Sequence, residues 1–433
     1  MLLNGFRHTS LGRYLLLNIV KKARASRSAY LTVVFTAFGL NGVVGLARLL
    51  LYASLLGPAG FGSFSVSQLL VTIGAYLSTL GFIEALNRQV PVLIGERKEK
   101  RAEYLLSLGL GFSLSAAALI SIFFVVTVFS MTSLQRYESI VLVGALLTST
   151  VFFNIVCSGI RGKSLTLEAG GLTLLKTILA ATAGIAVAPV WGVAGIIIAE
   201  ASALLVVSIY ALRRYLPNVS PTIRVKGRYL SIIGIGLPFL VGNIVLNLSM
   251  TIDSWFAQSI FEQSLYGQYA FAMIIFIAGQ NFTAIIAQYV QPRVLTEFGK
   301  TKNHLAILKY LHKVAFVVSL LFVLGWFPFH VALTYALELF YPEYLEVGPL
   351  SLYIYIGTGA MGVLGVYESY VLARQKGRML MFFYSIILSG IFFLCWFAKS
   401  NQFELIDYAI IFCAGRVACL LTVVSINKYL SSK

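Results

Sequence analysis

A chain of 433 residues that is 59% hydrophobic and 11% charged, with a mean hydropathy of +0.87, is not a soluble globular protein, since soluble domains carry about 25% charged residues. Its apolar runs are of helix length and lack a polar face, and the short alternating strands of a membrane barrel are absent. The net charge of +17 invites a nucleic-acid partner, but the placement of that charge excludes one.

Residues 1–30 form a basic tail whose apolar run, Leu15–Val20, is too short to span a bilayer and lacks a signal-peptide cleavage site. It is expected to be flexible or to lie on anionic lipid. Twelve apolar segments follow, at 31–55, 65–86, 104–129, 139–159, 168–188, 192–212, 230–256, 266–290, 312–337, 348–372, 379–398 and 405–427. Each reaches the roughly 20 residues that cross a hydrocarbon core. The central polar stretch 213–229, with Pro217, Pro221 and Gly227, separates six segments (31–212) from six (230–427), and 428–433 is a short tail.

Twenty-eight of the Lys and Arg residues fall in the N-terminal tail, in the loops after even-numbered segments, or at the C-terminus. Only Arg136 and Lys399 lie on the opposite side, and Arg48, Lys176 and Arg416 lie within segments. Such asymmetry places the basic side in the cytoplasm. The positive charge is therefore topological, and no nucleic-acid partner is expected.

An internal repeat is visible at an offset of 205 residues. Phe61-Gly62-Ser63-Phe64 falls on Tyr266-Gly267-Gln268-Tyr269, Arg88 on Arg293, and Arg48 on Asp253. Both halves enter the membrane from the same side, so the repeats are parallel. The fold expected is an all-α integral membrane protein of 12 transmembrane helices. They form two six-helix lobes related by a pseudo-twofold around a central cavity, with both termini cytoplasmic.

The run from Arg48 through Leu56-Gly57-Pro58 to Phe61-Gly62-Ser63-Phe64 resembles the end of the first helix in polysaccharide flippases. These belong to the multidrug/oligosaccharidyl-lipid/polysaccharide exporter superfamily. Pro238, Asp253 and Leu265-Tyr266-Gly267-Gln268-Tyr269 resemble the corresponding seventh-helix region. The resemblance implies a flippase of the cell inner membrane, working by alternating access. It would carry undecaprenyl-diphosphate-linked oligosaccharide of the O-antigen or another surface-polysaccharide type, with lipopolysaccharide assembly as one setting. A polysaccharide polymerase and a chain-length regulator are the protein partners it implies. A drug/cation antiporter of the same superfamily is the alternative, and a membrane polysaccharide polymerase or ligase is a remote one, because the exterior loops are short.

Charges within segments are costly, at about 2.5–3.5 kcal/mol on insertion scales, and mark candidate sites. Arg48 is the first candidate cavity cation, its guanidinium suited to a diphosphate; snorkelling or a structural ion pair is the alternative. Asp253, at the equivalent depth, is a gating or coupling residue, expected to pair with Arg48 across the lobes or to carry a cation. Lys176 is a further candidate cavity cation, with Glu200, a second coupling or gating candidate, as its expected neutralising partner. Arg416, for which no equally deep acid is expected in the second lobe, completes the candidates for the anionic headgroup. Glu84 and Glu368 are expected to pair with Arg88 and Arg374 near the cytoplasmic ends. Asn41, Gln68, Asn243, Asn247 and Gln280 suit either sugar hydroxyls or helix–helix bonding.

No enzyme constellation is visible. The chain has no Gly-rich phosphate loop for ATP, its four histidines show no ligand spacing, and Cys157, Cys395, Cys413 and Cys419 read as apolar packing residues. No cofactor is expected. The drive would be H⁺, Na⁺ or the membrane potential alone.

Overall fold

In lipid every backbone N–H and C=O must find a partner within the protein, and an α-helix provides one inside the segment itself. The computed structural model describes residues 27–129, 134–163, 165–224, 230–301, 304–374 and 376–431. The Leu15–Val20 run lies outside them, as do the side chains of Glu84, Arg88, Arg136 and Arg293. Among the described residues there is no strand. The helices are α1 (Arg27–Thr79), α2 (Phe82–Gly95), α3 (Glu99–Phe129), α4 (Leu134–Gly162) and α5 (Thr166–Tyr215). They continue with α6 (Leu230–Ile260), α7 (Gln263–Thr301), α8 (His304–Phe340), α9 (Val347–Ala373), α10 (Gly377–Ser400) and α11 (Leu405–Ser431), a short 3₁₀ turn at Pro342–Tyr344 preceding α9. Eight helices among the described residues are long and apolar enough to cross a membrane, so the chain is a multi-pass membrane protein.

The loop expected between the first two segments is absent. The chain instead bends at Gly57, whose φ of 63° and ψ of 177° lie outside the helix, and restarts at once from Pro58. Glycine tolerates that left-handed φ, and a proline opening the next arm loses no bond it would have made. A second bend at Gly192, with φ 54° and ψ −134°, divides α5 in the same way.

Helices α1 to α5 pack among themselves and α6 to α11 among themselves; the two groups meet chiefly through α1 against α7, and through α1 and α2 against α6. The described part of the central polar stretch is packed against the first group. Helix α5 runs on to Tyr215, and the next residues lie along α3: Thr222 N donates to the Ser107 carbonyl at 3.1 Å, and the Tyr104 hydroxyl donates to the Arg224 carbonyl. The four cysteines are unpaired and three of them are buried.

Candidate functional site

Arg48 on the first arm of α1 reaches the second arm of α5, where its Nη1 meets Glu200 Oε1 at 2.7 Å. Gln68 Nε2, from the second arm of α1, donates to Glu200 Oε2 at 2.9 Å. The carboxylate thus has a partner at each oxygen, which a charge in a low-dielectric setting requires. Two expected pairs are corrected by this geometry. Glu200 is held by Arg48 rather than by Lys176, and Arg48 does not reach Asp253. Lys176 lies instead with its Nζ 5.6 Å from the centre of the Phe153 ring, within electrostatic reach of both Arg48 and Glu200. Asn41 accepts from the Thr177 hydroxyl at 2.9 Å, so it serves helix–helix bonding between α1 and α5.

The second group carries the mirror arrangement with the charges exchanged. Asp253 on α6 receives Arg416 Nη2 from α11 at 3.0 Å, and both side chains are almost wholly buried. Tyr269 on α7 donates its hydroxyl to Asp253 Oδ2 at 2.6 Å. Arg416 also donates to the Met250 and Phe412 carbonyls and stacks 3.8 Å from the centre of the Phe412 ring. The expectation that Arg416 lacks a deep acid is overturned, since Asp253 is that acid. Arg416 is buried among these partners, and Asp253 is the acid it pairs with.

Beside this pair a cavity of about 280 Å³ opens at the junction of the two groups. Its polar wall consists of Tyr76 from α1, Asn243 and Asn247 from α6, Gln280 and Thr283 from α7, and Glu368 from α9. Met250, Met361 and Leu364 are among its apolar lining. Three of the amide residues singled out in the sequence therefore share one cavity. Asn247 Oδ1 is buried with no hydrogen-bond partner in the protein, which leaves an acceptor for a bound molecule.

Glu368 departs from expectation. Arg374 makes its contact with the His304 ring, Nη1 to Nδ1 at 3.2 Å, and forms no ion pair with Glu368. The carboxyl group instead stands beside the Tyr384 hydroxyl, the two falling short of hydrogen-bond geometry. Six residues of helix place positions 368 and 374 on different faces, whereas pairing needs a spacing of three or four.

The two halves of the sequence repeat touch at one end of the molecule. A Cβ on Gly62 would stand 2.5 Å from the Gln263 carbonyl oxygen, and one on Gly267 would overlap the Pro58 carbonyl oxygen. Only glycine allows the second arm of α1 and the start of α7 to cross this closely. A strap from the 3₁₀ turn closes over the crossing: the Tyr344 hydroxyl donates to the Ala53 carbonyl at 2.9 Å, and Gln268 Nε2 to the Glu343 carbonyl at 2.6 Å. The kink at Gly57 falls four residues after Ala53, where that carbonyl's helical partner would lie, and Tyr344 supplies a donor there. Burial raises the Tyr344 phenol above its ordinary pKa, so it remains a donor through neutral and mildly alkaline pH. From Gly267 to Gln280 along α7 the rise is about 20 Å at 1.5 Å per residue, so the cavity lies well below this crossing.

Comparison with known proteins gives a consistent result. Residues 31–296 match the family described as polysaccharide biosynthesis protein. No curated protein matches the chain. Among solved structures, the lipid II flippase MurJ in an inward closed conformation aligns with a TM-score of 0.67 and 15% identity, covering 91% of this chain and 87% of that one. An outward-facing multidrug resistance MATE family transporter of the MOP superfamily aligns with a TM-score of 0.62 and 15% identity, covering 96% and 98%. A MOP superfamily transporter from Pyrococcus furiosus gives 0.55 and 15%, covering 96% and 98%. At these identities the likeness is one of fold, and the fold is of the MOP transporter type.

Proposed function

Because the chain belongs to the polysaccharide biosynthesis protein family, we propose that it is a flippase of the cell inner membrane. Its cargo is a polyprenyl-diphosphate-linked oligosaccharide, of the undecaprenyl type used for O-antigen or other surface polysaccharide. The observation that carries this proposal is the cavity between the two helix groups, walled by amide, hydroxyl and carboxyl side chains suited to sugar hydroxyls. This reading has twelve crossings: the bends at Gly57 and Gly192 each divide a long helix in two, and α2 is taken together with the second arm of α1. The two groups are then lobes of one pseudo-twofold pair, joined through 213–229. On the basic-side-inward rule the Gly62–Gly267 crossing faces outward and the cavity faces the cytoplasm.

Arg48 and Lys176 receive the diphosphate, while Glu200 holds Arg48 in place. Asp253 and Arg416 pin α6 to α11, so that the second lobe moves as one body. A dianion moving outward through an inside-negative potential gains about 2.3 kcal/mol per charge per 100 mV, on the order of 4–5 kcal/mol in all. The membrane potential alone supplies a drive of that size.

Outward movement of a fluorescent polyprenyl-diphosphate disaccharide in proteoliposomes, with and without an imposed potential, tests the proposal. Absence of movement in either condition would remove it. One observation favours a drug/cation antiporter instead, namely the carboxylate of Glu368 in the cavity wall. Resistance assays in cells expressing the protein separate the two.

A further inference from the structure

The cavity wall is neutral apart from one group. Asn243, Asn247, Gln280 and Thr283 offer donors and acceptors without charge, and Glu368 adds a carboxylate. Among the described residues no cation is ion-paired with that carboxylate. Arg416 is paired with Asp253 and Arg48 with Glu200, and Arg374 lies against His304. The cationic surplus lies instead in the first group, at Lys176 beside the Arg48–Glu200 pair. A lipid-linked glycan has two chemically distinct parts, a dianionic diphosphate and a run of sugars, and this asymmetry sorts them.

We infer that Glu368 is a specificity-determining residue: it admits neutral or amino-bearing sugars to the second-group cavity and rejects uronic and other acidic sugars. The inference rests on the flippase reading. A sugar hydroxyl donates to the Glu368 carboxylate or to Thr283 Oγ1, whose own proton goes to the Gln280 carbonyl at 3.0 Å, and accepts from the amides, so a neutral ring satisfies the wall. A uronate ring sets a second carboxylate against the first with no counter-cation in the wall, and like charges in a partly desolvated site repel strongly. An ammonium-bearing sugar gains the pairing that a uronate loses.

The test uses the full chain in proteoliposomes and two fluorescent short-chain polyprenyl-diphosphate disaccharides. They are identical except that the outer sugar is glucose in one and glucuronic acid in the other. The wild-type protein is expected to flip the glucose lipid faster, by about tenfold or more, each tenfold step corresponding to 1.4 kcal/mol of discrimination. Glu368→Asp keeps that preference, Glu368→Gln brings the ratio toward one, and Glu368→Lys inverts it. Equal wild-type rates for the two lipids, or an unchanged ratio in Glu368→Gln, overturn the inference while leaving the flippase reading intact. Failure of the wild type to move either lipid overturns both. Where a variant does not fold, the wild-type ratio alone decides.

Discussion

Neutralising Arg416 alone leaves Asp253 as an unpaired charge in a site that excludes water. At the observed 3.0 Å separation and an effective dielectric of 20, the Coulomb attraction is about 5 kcal/mol. Breaking a buried pair by removing one partner costs about 3–5 kcal/mol, whereas replacing both partners with uncharged groups is close to neutral. Arg416→Met is therefore expected to lower the melting temperature of the detergent-solubilised protein by on the order of 10 °C, taking ~2–4 °C per kcal/mol for a unit the size of one helix group. Asp253→Asn should cost a similar amount, because it strands the guanidinium. The double variant Arg416→Met/Asp253→Asn keeps a hydrogen-bond acceptor for Tyr269 and packs a flexible thioether between Phe412 and Phe276. It should melt within a few degrees of wild type and still flip lipid. The assay is a double-mutant cycle on thermal melting, with flipping measured on each variant. If Arg416→Met melts like wild type, or if the double variant is no more stable than either single one, the pair is not the pin described here. If the double variant is stable and inactive, Arg416 belongs to the cargo path after all.

Arg48→Ala is expected to abolish complementation of surface-polysaccharide assembly while the protein still reaches the membrane; normal complementation would take Arg48 out of the mechanism. Asn247→Leu removes a buried acceptor that has no partner in the protein, so stability should hold or rise by about 1 kcal/mol. Flipping of the glucose lipid should fall severalfold in the same variant, and a normal rate would show that the cavity does not seat sugar. Gly267→Val drives a side chain into the Pro58 carbonyl and should force the crossing apart. Thiol labelling of a cysteine placed at Ser63 reads this out, with faster labelling than in the unmodified background. Tyr344→Phe deletes the donor to Ala53 at a cost of about 1 kcal/mol, and should raise the same labelling to a smaller degree.

The helices were legible because lipid imposes length and apolarity together, and few other folds produce runs of that kind. The Gly62–Gly267 contact was half legible. The repeat showed that the two motifs were equivalent, but only the structure shows that they meet. The ion pairs were not legible. Hydropathy gives the depth of Arg48, Lys176, Glu200, Asp253 and Arg416 in the membrane, but neither the rotation of each helix nor its neighbours. Depth alone made Lys176 the natural partner of Glu200, whereas α1 brings Arg48 to the face that Glu200 occupies. Proximity in sequence suggests Arg374 for Glu368, but a spacing of six puts the two on different helix faces. The sequence presents Tyr269 only as part of a motif, and its role as a donor to Asp253 needs the folded arrangement of α6 and α7.

The two pairs gain meaning when set side by side. In the first group the opening helix supplies the cation and the second arm of α5 the acid; in the second group the opening helix supplies the acid and the closing helix the cation. Inverting the charges leaves the mechanical result unchanged, because each pair ties the first to the last element of its own group. An offset of 205 residues carries Arg48 onto Asp253, a change of sign that looks like a broken repeat until the partners are included. With partners included, each half carries one Arg–carboxylate pair, in opposite polarity. Each pair is internally neutral, so neither adds to the net charge of its own group. Among the described residues, Lys176 in one group and Glu368 in the other stand outside these pairs. On the proposed flippase reading, a molecule bridging the two groups meets Lys176 on one side and Glu368 on the other, and a polyanionic head attached to neutral sugars has one favourable way to lie between them.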